Sequence, residues 1–295
     1  MPGLPDVTLY REALEARVVG QPLEEVRIAS PFVLRSYDPP IAAVTGQVVR
    51  GVRRIGKRLV LAFDGDLFLV FHLMIAGRLR WRATGEKPGI AAKNNLATFR
   101  FPNGMLYFSE ASTKKRASLT LVRGEAALAA LDPGGIEPLG ATPEQFKAAL
   151  TRENHTVKRA LTDPRLFSGI GNAYSDEILH AAKLSPMKLT KSMEDDEIAR
   201  LHKAVRSTLV SWTEILRTEN GGKFPETVTA FPKGMAVHGR FKEPCPVCGS
   251  PVQRIVYAEN EANYCATCQT GGKLLADRSL SRLLKDDWPK SIDDL

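Results

Sequence analysis

All four cysteines of the chain, Cys245, Cys248, Cys265 and Cys268, form two pairs of Cys-x2-Cys separated by 16 residues. That spacing lets four thiolates close a tetrahedral shell on one ion, and it predicts a zinc-ribbon hairpin. A complete thiolate shell leaves no open coordination position, so the expected Zn2+ is a structural cofactor and the chemistry must lie elsewhere. No cysteine remains for a disulfide framework or for thiol catalysis, and a reducing, cytoplasmic setting fits. Zinc ribbons bind proteins as well as nucleic acids, so the ribbon alone does not name the partner.

The rest of the 295 residues divide by periodicity. Val7, Tyr10, Leu14 and Val18 stand at helical spacing behind Asp6, which reads as the cap of a short amphipathic helix over residues 6–18. From about Val26 to Val122 short β-rich runs (VVRGVRRIGKRLVLAF, DLFLVFHLMIAGRLRWR, LATFRF, GMLYFSE, ASLTLV) alternate with Gly, Asp, Asn and Pro turns, as in a sandwich or barrel. LDPGGIEPLGATPEQF marks a boundary, after which helical periods dominate to about Asn220. The reading is an α+β multidomain chain: a β domain over 1–135, a helical domain over 136–235, the ribbon over 236–270 and a leucine-bearing tail over 271–295.

Lys and Arg outnumber Asp and Glu by 41 to 33, a formal charge of +8, which favours a polyanionic partner without deciding it. The first residues lack the basic start and unbroken apolar run of a secretory signal. The most apolar run, Leu67 to Ala76, is about half the ~20 residues a membrane span needs and contains His72. Two further features invite chemistry. Ser168-Gly169-Ile170-Gly171-Asn172 opens a helix, where exposed N–H groups and the Asn172 amide can hold a phosphate; an ordinary helix start fits the same residues. Trimming of Met1 would leave Pro2 as a secondary amine, partly neutral near pH ~8 and able to attack an aldehyde or a sugar C1′.

MPGLPDV, GKRLVLAF, HLMIAGRL, IEPLG, LTDPRLFSGIGNAYSDEILHAAKLSP, HGRFKEPCPVCG and YCATCQ occur in the order found in the formamidopyrimidine-DNA glycosylase and endonuclease VIII family. The chain resembles that family over nearly all of residues 1–270. The resemblance implies a two-layer β-sandwich, a helix–two-turn–helix domain and a ribbon that touches DNA. It also implies a base-excision repair enzyme, monomeric on damaged double-stranded DNA, with glycosylase and AP-lyase activity. Pro2 would attack C1′ of a flipped nucleotide and form a Schiff base; Lys57, His72 and Asn172 would contact phosphates.

The departures from the family pattern matter as much. The family's glutamate after the proline is Gly3 here, and Asp6 is the candidate for the missing proton transfer. Asn260, between Glu259 and Glu261, stands where the family places a phosphate-clamping arginine, and an amide offers no charged fork. Of the family's wedge residues, Ile75 replaces Met with Met74 beside it, Arg116 is kept, and Ala117 replaces an aromatic. An AP lyase without effective base release, or a non-catalytic lesion-binding protein, therefore stands beside the glycosylase reading. The leucines of the tail are expected to pack on the body.

Overall fold

The computed structural model describes residues 2–226, 228, 232–257, 260–276, 283 and 289–294. The chain forms two compact units, one of residues 1–133 with 212–229 and one of 134–211 with 230–295.

The first unit opens on helix α1 (Leu4–Val18), whose N-cap is Gly3. Asp6 is not the cap that the spacing suggested. It lies inside the first turn, and its carboxylate reaches back to accept the Gly3 N–H at 2.8 Å, so it satisfies the helix's orphan donor from within. Eight strands follow: β1 (Glu25–Ile28), β2 (Val49–Ile55), β3 (Arg58–Phe63), β4 (Leu67–His72), β5 (Gly77–Ala83), β6 (Asn95–Phe101), β7 (Gly104–Glu110) and β8 (Ser118–Arg123). They pair antiparallel as two four-stranded sheets, β2-β3-β4-β8 and β1-β6-β7-β5. This is the sandwich alternative. Phe71 meets Phe99 and Phe108 edge-on at centroid distances of 5.2 and 5.6 Å, which joins the sheets face to face. Val60, Ala62, Phe68 and Val70 are buried on the opposite face of the first sheet with Leu128 of helix α2 (Glu125–Ala129). Burial on both faces explains why β3 and β4 read as continuous apolar runs rather than alternating ones.

The second unit holds α3 (Pro143–Thr151), α4 (Val157–Thr162) and α5 (Asn172–Ala181). Thr142 and Gln145 cap α3 reciprocally, through Gln145 N–H to Thr142 Oγ1 at 3.2 Å and Thr142 N–H to Gln145 Oε1 at 2.9 Å. A turn over residues 164–166 and a bend over 168–169 join α4 to α5. Helix α6 (Asp195–Asn220) carries three acids in its first turn, where the helix dipole favours them. The ribbon is the hairpin β9 (Gln253–Tyr257) and β10 (Asn260–Tyr264), followed by α7 (Ala266–Thr270). Leu274, Leu275 and Ile292 of the tail pack on Ile255, Ala262 and Tyr264. Leu283 does not: it is 77% exposed. Leu280 and Leu284 lie outside the described residues. Among the described residues no helix is long and apolar enough to cross a membrane.

Candidate nucleic-acid interface and zinc centre

One end of the sandwich gathers Lys57, His72 and Arg116. The hairpin β2–β3 turns tightly through Gly56 and Lys57, with Gly56 at a φ of 57° that a side chain would resist. Arg58, the next residue, pairs across the sheet with His72, and His72 pairs in turn with Ser118. Lys57 and His72 are thus neighbours at the same sheet end. Burial lowers the Lys57 ammonium from its usual range. Burial, then the charges of Arg58 and Lys57, hold the His72 imidazolium down to about 4, so His72 is neutral near pH 7.

Beyond His72 the chain turns through Met74, whose φ is 51°, and Ile75, which is 51% exposed. Gly77 closes this turn: a Cβ there would meet the Leu73 carbonyl at 2.3 Å and the Ala117 Cβ at 3.0 Å. Ala117 is therefore packed inside, 3% exposed, and is no wedge of any size. Arg116 is exposed, on a loop fixed from below by Glu110. The buried Glu110 carboxylate accepts the backbone N–H of Arg116 at 2.9 Å and of Ala117 at 3.0 Å, and its carbonyl accepts from Lys115 Nζ. Glu110 is a residue that sequence reasoning missed; an acid ending an apolar strand next to TKKR was its signal. Pro2 and Asp6 are both buried at the start of α1.

In the second unit Asn172 is the first residue of α5, and its Nδ2 donates to the Glu261 carbonyl at 3.0 Å, which ties it to the start of β10. Lys158 Nζ donates to the same carbonyl at 3.1 Å and pairs with Asp176. Asp176 also accepts from His238 Nδ1 at 2.8 Å. Glu177 accepts the backbone N–H groups of Ala236, Val237 and His238 at 2.7 to 3.0 Å. These partners were invisible to sequence reasoning, although NAYSDEILHA has polar residues on a helix buried almost all round. The backbone of Asn260 opens β10 opposite Tyr257; its side chain, like Glu259, lies outside the described residues.

The four cysteine sulfurs lie within 4.8 Å of one another. Thiolates 2.3 Å from a tetrahedral zinc stand about 3.8 Å apart, and here Cys245 and Cys268 are at 4.0 Å and Cys248 and Cys265 at 3.4 Å. Four thiolates this close repel one another unless a cation neutralises them. His180 Nε2 lies 3.3 Å from Cys245 Sγ, the kind of outer contact that orients a ligand. The donor set fits zinc and is a structural zinc site.

Three family models match in order: the formamidopyrimidine-DNA glycosylase N-terminal domain over residues 1–116, its H2TH domain over 135–219, and the zinc finger found in FPG and IleRS over 242–271. The formamidopyrimidine-DNA glycosylase of Heliobacterium modesticaldum is 31% identical over 281 residues, covering 91% of this chain and 100% of the relative. The chain belongs to the formamidopyrimidine-DNA glycosylase family. The Thermus thermophilus glycosylase is likewise 31% identical, over 92% of this chain and all of its own. Lactococcus lactis Fpg, solved in complex with DNA containing an abasic site, superposes with a TM-score of 0.80 at 26% identity, covering 91% of this chain and 99% of that one. Sandwich, helix–two-turn–helix and ribbon are thus the family's fold.

Proposed function

We propose that this chain is a DNA-repair glycosylase with AP-lyase activity, acting as a monomer in the cytoplasm on damaged duplex DNA. Membership of the glycosylase family over 91% of the chain carries the reading, and the DNA complex of the Lactococcus lactis relative supports its partner. Pro2, freed of Met1, is the nucleophile. Its nitrogen lone pair forms the bond to C1′ while the glycosidic bond breaks and the base leaves with a proton; opening of the sugar ring gives an iminium, and β- and δ-elimination then cut the strand. Lys57, His72 and Arg116 contact the DNA backbone from the sandwich, Asn172 and Asn260 from the other unit. A neutral His72 donates one N–H to a phosphate, whereas Lys57 brings charge that burial has partly stripped of water.

Gly3 favours a second reading, an AP lyase that does not expel bases. The carboxylate nearest in sequence is Asp6, which accepts the Gly3 N–H, and its carboxyl is the group assigned to carry the proton. Borohydride trapping separates the readings. The wild-type chain should trap on abasic and on base-damaged duplexes, and a chain with an added residue before Pro2 on neither. D6N keeps an acceptor for Gly3 but cannot shuttle a proton, so it should trap on abasic DNA alone. Wild-type trapping on abasic DNA alone would leave the lyase reading, and no adduct on any substrate would remove both.

A further inference from the structure

Phe32 is 81% exposed. It sits on a single 3-10 turn, Pro31–Val33, on the chain that crosses from one sheet to the other. Water around an exposed ring is costly, and the turn is not slack. Ala29 and Ser30 N–H donate to the Leu96 carbonyl at 2.9 and 3.1 Å, Arg35 N–H donates to the Leu119 carbonyl at 2.8 Å, and Val33 is buried beneath.

Those two anchors locate the ring. Leu119 follows Ser118, the partner of His72, and Leu96 follows Asn95, which pairs with Ser109 next to Glu110. The turn is therefore pinned at the sandwich end that carries Lys57, His72, the Ile75 turn and the basic run Lys114, Lys115 and Arg116. A rigidly held, exposed aromatic at the sheet end that also carries the exposed Lys114, Lys115 and Arg116 suits a polyanion with flat apolar faces. Ala117, packed against Gly77, has nothing to offer there.

We infer that Phe32 is a DNA contact of this chain, stacking on a base exposed beside the displaced nucleotide. The inference rests on the glycosylase reading. Its occupant is a DNA base rather than a second copy of the chain, because the flanking charges would repel a like surface. Substitution at so exposed a position leaves the core untouched, so F32A and F32W should keep the wild-type unfolding midpoint.

The test is fluorescence titration of F32W with an abasic-site duplex, read against the wild-type background of Trp81, Trp212 and Trp288, with anisotropy of labelled DNA recorded in parallel. Stacking should quench the added indole as the duplex binds, and F32A should bind about tenfold more weakly. Binding by anisotropy with no quenching beyond the wild type, or F32A affinity equal to wild type, would overturn the inference while leaving the glycosylase reading intact. Quenching that follows protein concentration without DNA would assign the ring to a copy–copy contact and overturn it too. If the wild type binds no duplex, the functional reading falls, and this inference with it.

Discussion

In the sandwich unit the core is a cluster of rings and aliphatic side chains, and Lys57, His72 and Arg116 sit at its rim, whereas in the helical and ribbon unit Asp176, Glu177, His180 and His238 are themselves buried. Where the sandwich does bury carboxylates, at Asp6 and Glu110, they accept backbone N–H groups beside the candidate site. The first unit can thus lose a rim side chain and keep its fold. The second is held by charges that are costly unless every partner is in place. Substitutions at the candidate site are therefore expected to spare stability in the first unit and to cost it in the second.

The widest separation of the two units should come from the metal. C265S leaves three thiolates and removes a binding free energy on the order of 10 kcal/mol. Zinc content by atomic emission should fall to zero, and the amides of 253–257 and 260–264 should lose hydrogen-exchange protection while those of β3 and β4 keep theirs. A variant that retains protected ribbon amides without zinc would mean that the Ile255, Ala262, Tyr264 and Leu274 cluster holds the hairpin by itself.

Glu177 gives a smaller effect on the same side. Glu177→Ala strands the N–H groups of Ala236, Val237 and His238, and at about 1 kcal/mol or more for each unsatisfied donor the cost is about 3 kcal/mol. Calorimetry should register a transition lowered by roughly 10 °C. An unchanged midpoint would show that water replaces the carboxylate and that the coupling of α5 to residues 236–238 is weak.

These differences also explain what could be read from the chain before its fold was known. The apolar runs RLVLAF and LFLVFH announced strands, and the spacing of Val7, Tyr10, Leu14 and Val18 announced α1, because burial against one dominant core imposes a period. The start of α1 escaped because Asp6 caps it from inside the first turn, a reach of three residues that a pattern of apolar positions does not contain. The cysteine spacing carried its geometry with it. Asp176, Glu177 and His180 had no such signature: their partners are Lys158, residues 236–238 and Cys245, supplied by segments far away in sequence. Ala117 was misplaced as a reduced wedge for a related reason, since its burial follows from the close approach of Gly77 on another strand.

The finest test of the rim is a proton. Burial, with Arg58 and Lys57, holds the His72 imidazolium at about 4, whereas the unfolded side chain titrates near ~6.5. Between those values the unfolded chain binds a proton that the folded one refuses, so this group's contribution to stability is complete above pH ~6.5 and declines as pH falls toward 4. A phosphate set against His72, as proposed, would act in the opposite sense on the bound state, favouring the cation, so DNA binding is expected to take up a proton in the same interval. Wild-type affinity for an abasic duplex, measured by anisotropy at constant ionic strength, should therefore rise severalfold from pH 7 to pH 5, at up to tenfold per unit by which the phosphate raises the imidazole. H72Q keeps a donor without a titratable charge and should lose that rise. If H72Q shows the same rise, the proton is taken up elsewhere and His72 lies away from the phosphate, leaving Lys57 to make the contact at this end of the sandwich.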